Sequence, residues 1–231
     1  MSAVHGDAVR LLTGWQPVDE AQRGLQQAFL GFLAARPDAC TRCCVPGHLT
    51  ASTLVLSHDG THVLLTLHPK VGRWVQLGGH CEDGDAGLAA AALREATEES
   101  GIDGLVIEPE PLHLDVHPIT CSLGVPTRHF DVRFLVRAPR DGTPVRSVES
   151  VDLRWWPVDA LPTGVDTIPH LTRLALGTGV PPRGPRHEPA SGPSESAGVT
   201  ASEVGSVPPG PPVGHRPQGP AHRALRPARP T

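Results

Sequence analysis

The stretch Gly78-Gly-His-Cys-Glu-Asp-Gly-Asp-Ala-Gly-Leu-Ala-Ala-Ala-Ala-Leu-Arg-Glu-Ala-Thr-Glu-Glu-Ser-Gly-Ile102 leaves the chain few conformations to choose from. Gly79 to Asp85 are mostly small or acidic and predict a loop. Ala86 to Ser100, with six Ala and two Leu, predict a helix that Gly101 stops. On that helix Glu95, Glu98 and Glu99 stand at i, i+3 and i+4, so their carboxylates leave from one face. Ala89, Leu93 and Ala96 form an apolar stripe on another, suited to packing on a sheet. Three carboxylates repel one another, and the helix dipole disfavours them at a C-terminal end. A hard cation such as Mg²⁺, which takes oxygen ligands, would remove both penalties. Arg94, one turn before Glu98, can orient or neutralise a carboxylate. Taken alone, Glu-x-x-Glu-Glu reads as a solvated acidic face, as charge runs usually do.

The rest of the chain supplies strands around this helix. Residues 1–45 read as helical, with Asp19 as a cap and Leu25, Phe29, Phe32 and Leu33 on one face up to Pro37. Leu49–Ser57 and His62–His68 predict a hairpin across His58-Asp-Gly-Thr, and Arg73–Leu77 a third strand ending at Gly78-Gly79. Further strands are expected at Leu105–Glu108, Leu112–His117, His129–Val136 and Val151–Pro157, with a last helix at Pro169–Leu176. Such an order implies an α/β or α+β layered domain. His113, Asp115 and His117 alternate with Leu112, Leu114 and Val116, as do His129, Asp131 and Arg133 with Phe130, Val132 and Phe134. On pattern alone, these polar rows fit a solvent-facing sheet or the wall of a substrate pocket.

Composition sets the limits of the folding unit. Of 26 Pro, 13 lie in residues 181–231, beside seven Gly, four Val and one Leu. That stretch cannot bury enough apolar surface to offset chain entropy, so it reads as a disordered Pro/Gly-rich tail. The expected organisation is a helical extension over 1–45, a folded domain over 46–180 and a tail over 181–231. The tail's six Arg and three Glu carry +3 of the net −4, which leaves −7 on residues 1–180. An acidic body argues against a polymeric nucleic-acid partner. It suits a small phosphorylated substrate bridged by a cation. No apolar run is long enough for a membrane span, no signal peptide is expected, and a reducing cytoplasm is the default compartment. Cys40, Cys43 and Cys44 read as free thiols in preference to a zinc site, since no second Cys pair follows. His80 reads as a pocket or loop residue in preference to a metal ligand.

The Gly-loop and the Arg94-Glu95-Ala96-Thr97-Glu98-Glu99-Ser100-Gly101-Ile102 block together resemble the signature of the Nudix hydrolases. That pattern is Gly, five residues, Glu, seven residues, then Arg-Glu-apolar-x-Glu-Glu-x-Gly-apolar. Gly79 fills its first position. Asp85 stands where the first Glu would, and eight residues instead of seven separate it from Arg94, with the extra one near Ala86-Gly87. The departures touch Asp85 and leave the triplet on the helix intact.

The resemblance implies an α/β fold, a Nudix-type α/β/α sandwich with a mixed sheet. It implies Mg²⁺ (or Mn²⁺) held by Glu95, Glu98, Glu99 and the Gly79 carbonyl. Glu98 is then the general base, with Glu95 and Arg94 completing the catalytic set. Strands of such a fold border the pocket, which makes His117 and Arg133 substrate-binding candidates. The implied reaction is hydrolysis of a diphosphate bond in a nucleoside diphosphate derivative. The alternatives are a nucleotide- or ADP-ribose-sensing module without turnover and, disfavoured for want of a matching Cys motif, a prenyl diphosphate isomerase. Pro118, sixteen residues past Ile102, is a weak marker for ADP-ribose substrates in the family, and no coenzyme A motif is apparent. Nudix enzymes often dimerise, and the N-terminal helices are the expected contact.

Overall fold

The computed structural model describes residues 2–120, 124–147, 150–165 and 167–177, so the tail expected over 181–231 lies outside the described residues. The chain opens with two helices, α1 (Ala3–Gly14) and α2 (Glu20–Ala35). Asp19 caps α2 as its sequence predicts, its carboxylate accepting from the Gln22 amide at 2.8 Å. Strands β1 (His48–Leu56), β2 (His62–His68), β3 (Arg73–Val75) and β4 (Leu77–His80) follow, then α3 (Leu88–Ser100). The chain closes with β5 (Val106–Thr120), β6 (Pro126–Arg137), β7 (Asp152–Pro157) and α4 (Ile168–Ala175).

The sheet runs β3-β2-β1-β6-β5, with β4 also on β1 and β7 also on β2. It is mixed: β1 and β6 are parallel and the other pairs antiparallel. β1 is buried along its whole length, because helices cover both of its faces. Leu49, Ala51 and Val55 face the side packed by α1, α2 and α3, with Val132, Phe134 and Val136 of β6. Leu54, Leu56 and Leu135 face the other side, under Ile168 and Leu171 of α4. This is an α/β/α sandwich. No helix among the described residues is long and apolar enough to cross a membrane.

Three local outcomes differ from the sequence reading. The third strand expected at Arg73–Leu77 is two, β3 and β4, and Gly79-His80, expected as loop, belongs to β4, which pairs with β1 through Ala51↔Gly79 and Thr50↔His80. The two strands expected between 105 and 117 are one, β5, with register shifts around Pro111. Prolines 109 and 111 lack the N–H a regular ladder needs. The buried stripe of α3 is Leu88, Ala91, Ala92 and Ala96, with Ala89 and Leu93 only partly covered.

The N-terminal helices belong to the same apolar cluster as the sheet: Leu12, Phe29 and Leu33 pack with Leu88, Leu114 and Phe134. They also serve the other elements. The Gln22 side-chain amide bonds both the N–H and the carbonyl of Leu114 (2.7 and 3.1 Å), occupying the backbone of edge strand β5. Gly87 gives α3 no capping side chain, and Asp7 of α1 accepts from the Leu88 amide at 2.8 Å in its place.

Candidate active site

The site is assembled where α3 crosses β4. The Gly78 amide donates to Glu99 Oε2 at 3.0 Å. Gly78 holds φ +148, and a Cβ there would run into the Ser52 backbone of β1. Gly79 lies directly against Glu95: a Cβ on Gly79 would stand 2.6 Å from all three carboxyl atoms of that side chain. Both glycines are thus required by close approach, one to a strand and one to a carboxylate. The space beside Gly79 is open to the Glu95 carboxylate only because that Cβ is missing.

Arg94 ties the acidic groups together. Its Nε and Nη2 donate to the two oxygens of Asp85 at 3.0 and 3.1 Å, a bidentate pair. Its Nη1 donates to both Glu95 Oε1 and Glu98 Oε2 at 3.1 Å, and its Nη2 also reaches the His80 carbonyl at 3.0 Å. Hydrogen bonding to Asp85, ahead of the nearby carboxylate charges, holds the guanidinium pKa above its ordinary value. Burial alone would raise the Asp85 carboxyl, but the Arg94 hydrogen bonds leave it below its usual range. Asp85 also accepts from the Glu82 amide at 2.8 Å. The extra residue at Ala86-Gly87 therefore does not detach Asp85 from Arg94; the loop absorbs it before Leu88 begins the helix. Glu95 is mostly covered, whereas the Glu98 side chain is 60% exposed.

Glu95, Glu98, Glu99 and the Gly79 carbonyl are all oxygen donors, the kind a hard divalent cation takes. Among the described residues the three carboxylates are not drawn together into one cluster: Gly78 holds Glu99, and Arg94 holds Glu95 and Glu98. Gly79→Ala should leave the fold intact, since only the end of a flexible side chain must move. Activity should fall by about 100-fold, the cost of misplacing a reacting group by ~1 Å. Unchanged turnover with an unchanged melting curve would separate Glu95 from the chemistry.

The opposite face of the sheet carries a second polar network. Asp131 of β6 accepts from Thr50 Oγ1 (3.0 Å), Ser52 Oγ (2.8 Å) and Arg133 Nε (2.9 Å). Arg133 Nη2 donates to Asp115 Oδ2 at 2.9 Å, and His117 Nδ1 lies 2.8 Å from the same oxygen. The hydrogen bond from His117, with the Arg133 charge beside it, holds Asp115 below its usual range despite burial. His117 and Arg133 thus meet through Asp115, on a face that is neither solvent-facing nor fully closed. The Asp131 and Arg133 side chains are each 4% exposed, that of His117 39%. Arg133 Nη1 is buried with no hydrogen-bond partner among the described residues. Beside this network lie His48, His80 and His129, whose ring centroids are 5.0 to 5.1 Å apart. Burial pushes His80 down to about 3 and His129 down to about 4, and lowers His48, so the rings are neutral at pH 7.

His48, Thr50 and Ser52 are the residues that sequence reasoning missed; Asp131 and His129 stood in its polar row, and His80 was read as a pocket or loop residue. The available signal was the alternation His48, Thr50, Ser52 in an otherwise apolar strand. A separate concavity lined by His58, Asp59, His62 and Trp155 lies near the far end of β1 and contains none of the Glu side chains. Cys40 and Cys44 are buried and Cys43 exposed, all three as free thiols.

Residues 47–174 match the family model of the NUDIX domain, and the chain belongs to the Nudix family. Its class is that of hydrolases acting on acid anhydrides in diphosphate-containing substrates. No curated protein matches the chain. Among solved structures, a NUDIX-family hydrolase from Clostridium perfringens is 22% identical, with TM-score 0.45, over 55% of this chain and 95% of that one. The E. coli dihydroneopterin triphosphate pyrophosphohydrolase is 20% identical, with TM-score 0.44, over 56% and 95%. The NUDIX domain of Shewanella oneidensis NrtR, solved with ADP-ribose, is 19% identical, with TM-score 0.41, over 56% and 86%. The family match, and not these partial likenesses, places the chain.

Proposed function

We propose that this chain is a Mg²⁺-dependent hydrolase that cleaves a diphosphate bond in a nucleoside diphosphate derivative. The observation that carries the reading is the apposition of Glu95 and Glu99 to Gly79 and Gly78, with Arg94 linking Glu95 to Glu98. Glu95, Glu98, Glu99 and the Gly79 carbonyl would hold Mg²⁺, or Mn²⁺ in its place. The cation would supply charge for the diphosphate oxygens and lower the pKa of a water. Glu98 is the general base. Of the two α3 carboxylates that Arg94 holds, Glu95 and Glu98, it is the more exposed, and Arg94 fixes its Oε2 while the carboxylate keeps access to water. Arg94 orients Glu95 and Glu98 and is itself held in place by Asp85. On the other face, the unused Nη1 of Arg133 is a donor for a polar group of the substrate, and His117 stands at the open end of the same network.

Asp85 and Arg94 stay paired at 3.0 Å despite the altered loop, which favours the hydrolase reading over a sensing module. Should the chain form a homodimer, α1 and α2 would contribute their outer faces, because Leu12, Phe29 and Leu33 are spent in the core. The test is a panel of nucleoside diphosphate derivatives, with ADP-ribose, nucleotide sugars, dinucleoside polyphosphates and 8-oxo-nucleotides included. Release from at least one compound supports the hydrolase; tight binding with no release from any would establish the sensor.

A further inference from the structure

We propose that His48, His80 and His129 form a zinc site, on the sheet face opposite the carboxylates of α3. Strand pairing builds it: His48 of β1 sits directly across from His129 of β6, and His80 of β4 pairs with Thr50, two residues along β1. Alternation along β4 turns His80 away from the side on which Gly79 meets Glu95. One nitrogen from each ring lies within 4.8 Å of the other two. His80 Nε2 and His48 Nε2 are 3.1 Å apart, close to the ~3.3 Å that separates two nitrogens on a tetrahedral Zn²⁺. Small ring rotations bring in the third.

The hydrogen bonds define the metal-free state. Arg42 Nη2 can only donate, so His80 Nδ1, 2.9 Å away, accepts. His80 Nε2 then carries the proton and donates to His48 Nε2, while His48 Nδ1–H points at the Cys44 carbonyl at 3.4 Å. This chain uses two of the three rings. His129 Nε2 is buried among the described residues with no partner, aimed at no donor or acceptor that packing alone supplies. Zn²⁺ would bind the lone pair of His48 Nε2 directly, with the Cys44 carbonyl fixing that ring as an outer partner. It would need the other tautomer of His80, and the Nδ1 proton would then displace Arg42. Arg42 therefore competes with the metal.

Imidazole nitrogens suit Zn²⁺ and not Mg²⁺, so the two faces of the sheet select different ions. Three protein ligands leave the fourth position to water. The site goes beyond the proposed hydrolase centre and shares no side chain with it.

The full-length protein, stripped with EDTA and dialysed, is titrated with Zn²⁺ in competition with a chromophoric chelator. Excess Mg²⁺ is present throughout to occupy the carboxylates. One Zn²⁺ per chain is expected. Loss of an outer partner alone costs 10–100-fold, so loss of a ligand in His129→Gln should weaken binding by at least about 100-fold. Glu98→Gln should bind as the wild type does. Exposed Arg42 can be changed without disturbing the core, and Arg42→Ala should bind more tightly. Wild-type affinity in a folded His129→Gln, weaker binding in Arg42→Ala, or a metal lost only in Cys43→Ser would each overturn the site. So would a wild-type protein that takes up no Zn²⁺.

Discussion

Glu98→Gln lowers turnover by about 10³-fold, the middle of the range for a positioned general base, while the protein melts as the wild type does. The two halves of this result have separate causes. Gln retains an oxygen that accepts from Arg94 Nη1, so the bond at 3.1 Å survives and the helix keeps its local support. The side chain is exposed, and surface substitutions of this kind stay within about 0.5 kcal/mol of neutral. What Gln cannot do is take a proton from water. Steady-state kinetics beside a thermal melt reads both halves. Near-normal turnover would move the base to another residue of the cluster.

Arg133→Met has the largest expected effect on stability, about 3–5 kcal/mol lost, because it leaves the buried carboxylate of Asp131 without its cation. Thr50 and Ser52 still donate to that carboxylate, but hydroxyl dipoles do not replace a guanidinium at 2.9 Å. Asp115 loses its guanidinium partner in the same step and keeps His117. Urea unfolding measures the loss, and a companion Asp131→Leu/Arg133→Met protein should recover much of it by removing both charges. A change below about 1 kcal/mol in the single variant would mean that the face is wetter than its burial indicates. Burying an ion pair is weak evidence of a stabilising role. Under the proposed function the spare Nη1 is a donor for the substrate.

What could be read from the sequence was what lies close together in it. The Gly79-to-Ile102 segment carries the carboxylates, the arginine that ties them and the glycine that stops the helix, all within one turn-and-helix unit. The structure sets Arg94, Glu95, Glu98 and Glu99 on α3 and Gly101 left-handed at its end, φ 62. Spacing along a helix is a three-dimensional statement already. The strand pairs are not. Gly78-Gly79 has no β-forming side chain, and only the partner β1 makes it a strand. The cap on α3 comes from Asp7, 81 positions earlier, and no local pattern around Gly87 announces it. Asp131 meets Thr50 and Ser52 across 81 and 79 residues, and His48, His80 and His129 lie on three separate strands. Alternation marked which residues share a face, but not which strand lies next to which. That is why Asp115, Asp131 and Arg133 could be set on one face while the pairing of both aspartates with Arg133 could not be read.

On the proposed function, the carboxylates of α3 would hold a cation that supplies charge to a diphosphate while Glu98 takes a proton from the attacking water. This is tested most directly by phosphate release from the nucleoside diphosphate panel, with a phosphatase step following, in Mg²⁺ and again in EDTA. Release is expected from at least one compound in Mg²⁺, abolished by EDTA and restored by adding Mg²⁺ back. Release that persists undiminished in EDTA, or binding without release from every compound, would contradict it.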